Sequence, residues 1–204
     1  MITTSLQGSP LISQIHRIAL MEFEAQRTGT TTIYLSTDFE EHYRNTIFRN
    51  LNITDTIEEA TTIEYIAPVA FDVLREYLIS SFVLSPESIK EVDDPIITAV
   101  CVDGYRENID YFRNAMEFVG DSTFLFISDD IEWCKKHFSG ENVYYSPLTD
   151  RVEQLSLIAR CSNVILGDSL LADFGALMGE TIHSKIVVPV DTLMTNLPSS
   201  WHRI

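Results

Sequence analysis

Positive charge is scarce in this chain: 14 lysines and arginines stand against 30 aspartates and glutamates over 204 residues, a formal net charge of −16. Phosphate backbones are held by clustered basic side chains, and those here are scattered, so no nucleic-acid partner is expected. Long apolar runs are missing too. Nothing approaches the roughly 20 residues that a membrane helix needs, and the amino terminus carries no signal-peptide core, so no transmembrane segment and a cytoplasmic setting are expected. Cysteine is rare: Cys101, Cys134 and Cys161 have no CxxC spacing and fall in or beside apolar segments, which argues against disulfides and zinc. The histidines, His16, His42, His137, His183 and His202, form no metal-ligand spacing, and no metal is expected. No GxGxxG follows an apolar run and no GxxxxGK[ST] occurs, which removes the best support for dehydrogenase, methyltransferase and P-loop readings.

At 45% hydrophobic and 22% charged, with no repeat, the sequence is that of a folded globular chain. Apolar spacing predicts a helix over 11–27 ending near Gly29, a strand over 31–35, a weaker strand over 63–67 and a helix over 71–82. Residues 38–59 are polar and mixed. The acidic, proline-punctuated stretch 85–95 reads as a boundary between units 1–90 and 91–204. Beyond it, short apolar strands at 96–102, 123–127, 142–145, 163–166 and 185–188 alternate with helices at 107–119, 130–138, 151–160 and 170–178. That alternation is the pattern of a doubly wound parallel sheet. The fold class is therefore α/β, with a smaller α/β unit first and a Rossmann-like unit second.

Two strand-to-helix junctions carry candidate chemistry, because ligands of open parallel sheets sit at the carboxyl ends of strands. In Phe124-Leu-Phe-Ile-Ser-Asp-Asp-Ile-Glu-Trp-Cys, Asp129 with Glu132 fits a capping box, and one cap needs one carboxylate. The second aspartate is left to accept hydrogen bonds from a ligand, its side chain diverging from its neighbour's. In Val164-Ile-Leu-Gly-Asp-Ser-Leu, Gly167 permits a tight turn and Ser169 caps the next helix, either as a cap alone or with the helix amides left pointing at an anion. Asp168 beside it repels a phosphate.

Taken in order, Ser128-Asp-Asp-Ile-Glu-Trp-Cys134, Leu155-Ser-Leu-Ile-Ala-Arg-Cys161, Asn163-Val-Ile-Leu-Gly-Asp-Ser169 with Gly175-Ala176, Lys185-Ile-Val-Val-Pro189 and Pro198-Ser-Ser-Trp201 resemble the carboxyl-terminal half of α-(1,2)-fucosyltransferases. Leu6-Gln7-Gly8 and the helix carrying Gln14 look like a worn form of that family's QGGLGNQ loop. The resemblance implies a GT-B-like architecture of two Rossmann-like units, the first reduced. It also implies GDP-fucose as an inverting donor substrate, a glycan acceptor, and neither cofactor nor metal. By the same resemblance, Asp129 and Asp130 read guanine and ribose, while Asp168 and Ser169 lie near the diphosphate. Gly8, Gln14 and Arg17 are further substrate-binding candidates.

The chain departs from the family at the reacting centre. Where an HxRxGDY motif places a histidine and a diphosphate-clamping arginine, this chain has Cys101 and Asp103, an anion in place of a cation. Asp103 and Arg106 are the candidates at this position, with Arg106 or Arg17 as replacement cation. Ser9-Pro-Leu-Ile-Ser13 occupies the place of flexible glycines, and Asp173-Phe174 that of paired tryptophans. Three readings follow, the first two being a glycosyltransferase of fucosyltransferase type with a degraded donor-phosphate motif and a non-catalytic relative that binds a nucleotide, glycan or protein. An unrelated Rossmann-like domain is the third.

Overall fold

The structure is a computed structural model that describes residues 1–7, 9–57, 59–62, 71–82, 96–192 and 197–204. The chain divides into two compact units, Met1–Ser85 and Pro86–Ile204. The boundary stretch read from sequence and the strand expected over 63–67 lie outside the described residues.

In the first unit the order is β1 (Ile2–Thr3), α1 (Leu11–Thr28), β2 (Tyr34–Leu35), a 3-10 turn (Ser36–Asp38), α2 (Glu41–Asn45), β3 (Ile53–Thr54), β4 (Thr61–Thr62) and α3 (Phe71–Ser81). Helix α1 buries Ile15, Ile18, Ala19, Met21 and Ala25, residues at helical spacing along one face. It stops at Gly29, whose φ of 68° places it in the left-handed region. β1 pairs in parallel with β4, and β2 with β3. The Ile2–Thr32 bridge, with Ile33 N donating to Ile2 O at 3.0 Å, joins the two pairs. They are two separate two-stranded sheets, and the bridge between them sets the four strands in the succession β3-β2-β1-β4, that of the first four strands of a Rossmann sheet. Residues 31–33, expected as strand, contribute only this bridge, while α2, β3 and β4 arise in sequence that shows no periodicity.

The second unit runs β5 (Ile97–Cys101), α4 (Ile109–Val119), β6 (Thr123–Ile127), α5 (Ile131–His137), β7 (Val143–Tyr145), α6 (Arg151–Ile158), β8 (Asn163–Leu166), α7 (Leu170–Gly179), β9 (Ile186–Val188) and β10 (His202–Arg203). All pairings are parallel, in the order β10-β9-β8-β5-β6-β7. Relative to β5 this is the full Rossmann order 3-2-1-4-5-6. Every residue of β5, β6, β8 and β9 is buried, as expected of strands covered on both faces. Phe126 stacks on Phe138 at 4.7 Å between ring centres, and Phe112 meets Phe138 edge-on at 6.2 Å. Each such buried ring contributes about 2–3 kcal/mol through apolar burial.

Side-chain caps start three of these helices. Asn108 accepts from Tyr111 N (3.1 Å), Asp130 from Trp133 N (3.1 Å), and Asp150 from Val152 N and Glu153 N (2.9 and 3.0 Å). The cap of α5 is therefore Asp130, not Asp129, because the helix begins one residue later than the capping-box reading requires.

Candidate functional site

β5 and β8 are adjacent, yet the chain leaves β5 toward β6 and returns to β8 on the other side. Their carboxyl ends form the topological switch point where doubly wound sheets bind ligands. Two glycines let the turns after these strands touch. Gly104, at φ 79°, lies so close to Asp168 that an added Cβ would sit 2.3 Å from the Asp168 carbonyl oxygen. A Cβ on Gly167 would sit 2.8 Å from the Cys101 and Asp103 carbonyls. The turns are pinned by Gly167 N donating to Cys101 O (2.7 Å) and Asp168 N to Asp103 O (3.0 Å).

From this platform Asp103 reaches the turn after β6. Its Oδ1 accepts from Ser128 Oγ at 2.6 Å, from Asp129 N at 3.3 Å and from Arg106 Nη2 at 3.1 Å. Arg106 Nη2 also pairs with the Asp129 carboxylate, and Nη1 donates to Asp130 Oδ2 at 3.4 Å. The two neighbouring aspartates, expected to diverge, thus converge on one guanidinium. The remaining Arg106 nitrogen, Nε, is buried without a partner. Side-chain exposures of 31% for Arg106, 22% for Asp103, 57% for Asp129 and 46% for Asp130 leave these pairs open to solvent, where each contributes little to stability. Three carboxylates surround one cation.

Beside Asp129 opens a pocket of about 460 Å³ between the carboxyl ends of β6 and β7, lined also by Ile131, Ser146, Leu148, Arg151 and Gln154. Its wall is fixed by Gln154 Nε2 donating to Leu148 O at 2.9 Å and Leu148 N to Ser146 Oγ at 3.2 Å. The volume and the mix of apolar wall and convergent polar groups suit a heterocycle with a sugar attached.

Asp168 is exposed, and Ser169 begins α7 without a side-chain cap bond, so the expected serine cap is absent. Deeper in the same turn, the buried Asp173 carboxyl is pushed up to about 8, mainly by burial and further by the Asp168 charge. Cys101 is a buried thiol whose pKa burial pushes well up, with Cys161, Asp103 and Asp173 adding to the shift.

In the first unit, Gln14 is buried and its Nε2 donates to Ser9 O (2.9 Å) and Asp38 O (3.2 Å), tying the loop after β1 to the turn after β2. Gln14 Oε1, Asp38 Oδ2 and Thr4 Oγ1 are buried without partners. Burial pushes the Asp38 carboxyl up, while hydrogen bonds from the Leu6 and Gln7 amides pull the other way. Asp38 has no signal in the sequence, being a lone aspartate in a polar stretch. Arg17, half-buried one turn beyond Gln14, is itself engaged. Gly8 lies outside the described residues. A smaller pocket, about 290 Å³, opens at the carboxyl ends of β1, β2 and β4 between Thr3, Thr4, Ser5, Leu35 and Thr62.

The sequence model of glycosyl transferase family 11 matches residues 21–180, most of the chain. The chain belongs to glycosyl transferase family 11. The likeness read from its motifs thus holds at the level of the family, and the match spans Asp103, Arg106, Asp129, Asp130, Asp168 and Ser169. Among solved structures, the fucosyltransferase NodZ from Bradyrhizobium superposes with a TM-score of 0.63 at 12% identity, covering 87% of this chain and 93% of that one. NodZ α-1,6-fucosyltransferase soaked with GDP-fucose gives 0.61 at 11% identity, covering 87% and 92%. The form co-crystallised with GDP gives 0.60 at 11% identity with the same coverage. At such identities the likeness is one of fold, and the fold is the GT-B-like one. No curated protein matches the chain. Among the described residues no group of histidine, cysteine and carboxylate side chains has metal-binding geometry. No helix there is long and apolar enough to cross a membrane.

Proposed function

We propose that this family 11 glycosyltransferase moves fucose from GDP-fucose to a glycan acceptor, by an inverting reaction that needs no metal. The observation that carries the reading is the pocket beside Asp129, open at the carboxyl ends of β6 and β7 next to the Arg106 guanidinium. Guanine and ribose occupy that pocket and hydrogen-bond to Asp129 and Asp130. Arg106 and the amides around Asp168 and Ser169 face the diphosphate, whose charge grows as the sugar departs. The acceptor hydroxyl oxygen attacks the anomeric carbon and gives up its proton to solvent, the bond to the β-phosphate oxygen breaks, and its electron pair leaves with GDP. Asp103 and Arg106 are the groups at this reacting centre. In the first unit, Gly8, Gln14 and Arg17 are the proposed substrate-binding groups, with Arg17 as the alternative cation. Three unbridged buried cysteines suit a reducing, cytoplasmic setting.

One observation favours a second reading, a binding module without turnover: the cation that a leaving diphosphate needs is already held by three carboxylates. Turnover separates the two. Millimolar GDP is expected to raise the Tm, as any ligand selective for the native state does, and GDP-fucose with a glycan acceptor is expected to release GDP at the same rate with and without EDTA. Binding without release selects the module. No Tm shift with GDP or any other nucleotide, and no release, overturns the transferase reading and leaves only a module that binds a glycan or protein.

A further inference from the structure

The donor site contains its own competitor. Resting on the reading of this site as a GDP site, we propose that Asp103, Asp129 and Asp130 act as internal counter-ions that a nucleoside diphosphate must displace from Arg106, with Asp103 setting how tightly it binds.

Diphosphate oxygens are recognised best by a guanidinium that offers two parallel N–H donors. Both terminal nitrogens of Arg106 are engaged by carboxylates, Nη2 by Asp103 (3.1 Å) and Asp129, Nη1 by Asp130 (3.4 Å). Nε is buried and faces no acceptor. An incoming phosphate therefore exchanges places with carboxylates instead of adding to an unoccupied cation.

The three are not equivalent. Asp129 is the most exposed and can turn away into solvent once Arg106 moves. Asp130 already spends Oδ1 on the α5 cap, so part of its charge is satisfied there. Asp103 is the least exposed, and its Oδ1 is pinned by Ser128 Oγ (2.6 Å) and Asp129 N (3.3 Å). It cannot swing aside, so its charge stays beside the phosphates after the exchange. Asp103→Asn removes that charge and keeps an Oδ1 acceptor for Ser128 and Asp129 N. It separates electrostatic hold from structural support.

The test is calorimetric titration with GDP in EDTA. Asp103→Asn is expected to bind GDP about tenfold tighter than the parent, and Asp129→Asn to bind inorganic diphosphate, which makes no base or ribose contact, about threefold tighter, the scale of one partly exposed charge pair. The gain disappears in Asp103→Asn/Arg106→Gln, and guanosine, which lacks phosphate, gains nothing in Asp103→Asn. If the parent binds GDP and Asp103→Asn binds it equally or more weakly, Asp103 is only a strut and the proposal is overturned while the GDP reading stands. If the parent, Asp103→Asn and Asp129→Asn all fail to bind GDP, the GDP reading itself falls and takes the proposal with it. Should Asp103→Asn not fold, Asp129→Asn decides alone: tighter binding of inorganic diphosphate supports the proposal, and unchanged or weaker binding overturns it.

Discussion

The two units share one strand order and differ in what holds it. In the second, strands of up to five residues lie buried over their whole length and aromatic rings stack beneath them. In the first, strands are two residues long, two of them end in exposed or partly exposed threonines, and a single bridge joins the pairs. Helices carry more of the load there, with Phe23 of α1 meeting Tyr77 of α3 edge-on at 5.8 Å. Connection order is thus preserved when the strands themselves have nearly vanished. Crossover geometry and helix packing dictate the order, while apolar content dictates how far each strand extends.

The largest expected effect sharpens this contrast through two left-handed glycines. Gly104 in the second unit is boxed in by the Asp168 backbone, whereas Gly29 in the first has open space where a Cβ would go. Gly104→Ala is expected to cost about 3 kcal/mol or more, strain and collision together. Gly29→Ala costs about 1 kcal/mol, from strain alone. Urea denaturation reads both, and equal costs break the claim that only the second unit's turns are tightly interlocked.

Next in size is pH dependence. The folded pKa of Asp173, about 8, lies above the ordinary aspartate value of 3.8, so the folded protein keeps a proton that the unfolded chain has released. Stability from this group is complete below about pH 4, falls as pH rises toward 8, and is level above, a loss on the order of a few kcal/mol. Asp173→Asn is expected to flatten the Tm profile between pH 5 and 8. The raised Asp38 carboxyl of the first unit acts in the same direction, opposed by its two amide donors. Asp38→Asn therefore flattens the profile less, and a larger effect there reverses the ranking of the units.

The smallest effects concern helix starts. Asp150 caps α6 with two hydrogen bonds, while Ser169 makes none for α7 and α1 of the first unit begins at Pro10 without a side-chain cap. Asp150→Ala is expected to cost about 1 kcal/mol and Ser169→Ala under about 0.5 kcal/mol, measured by chemical denaturation. If Ser169→Ala leaves stability alone yet weakens GDP binding, the serine belongs to the ligand.

Legibility followed the same division. Strands β5, β6, β8 and β9 were readable because burial on both faces leaves an apolar run that needs no partner to be recognised. β3, β4 and the exposed edge strand β10 left no such mark. At the site, Asp129, Asp130 and Ser169 were legible as occupants of strand-to-helix junctions. The capping-box pattern points to Asp129 where α5 is capped by Asp130, since adjacent aspartates are alike to a pattern and only backbone geometry distinguishes them. Asp38 was missed because its burial is imposed by the loop after β1, far away in sequence.

The amino-acid sequence by itself determined the alternation of strands and helices in the second unit, the junctions at which a ligand could sit, and the family. These are local matters, written in periodicity and in short ordered motifs. Tertiary structure alone decided that Asp103, Ser128, Asp129, Asp130 and Arg106 form one cluster. The parallel pairing of β5 with β6 sets their carboxyl ends side by side, so charges on separate turns come within hydrogen-bonding reach. No spacing along the chain encodes that distance.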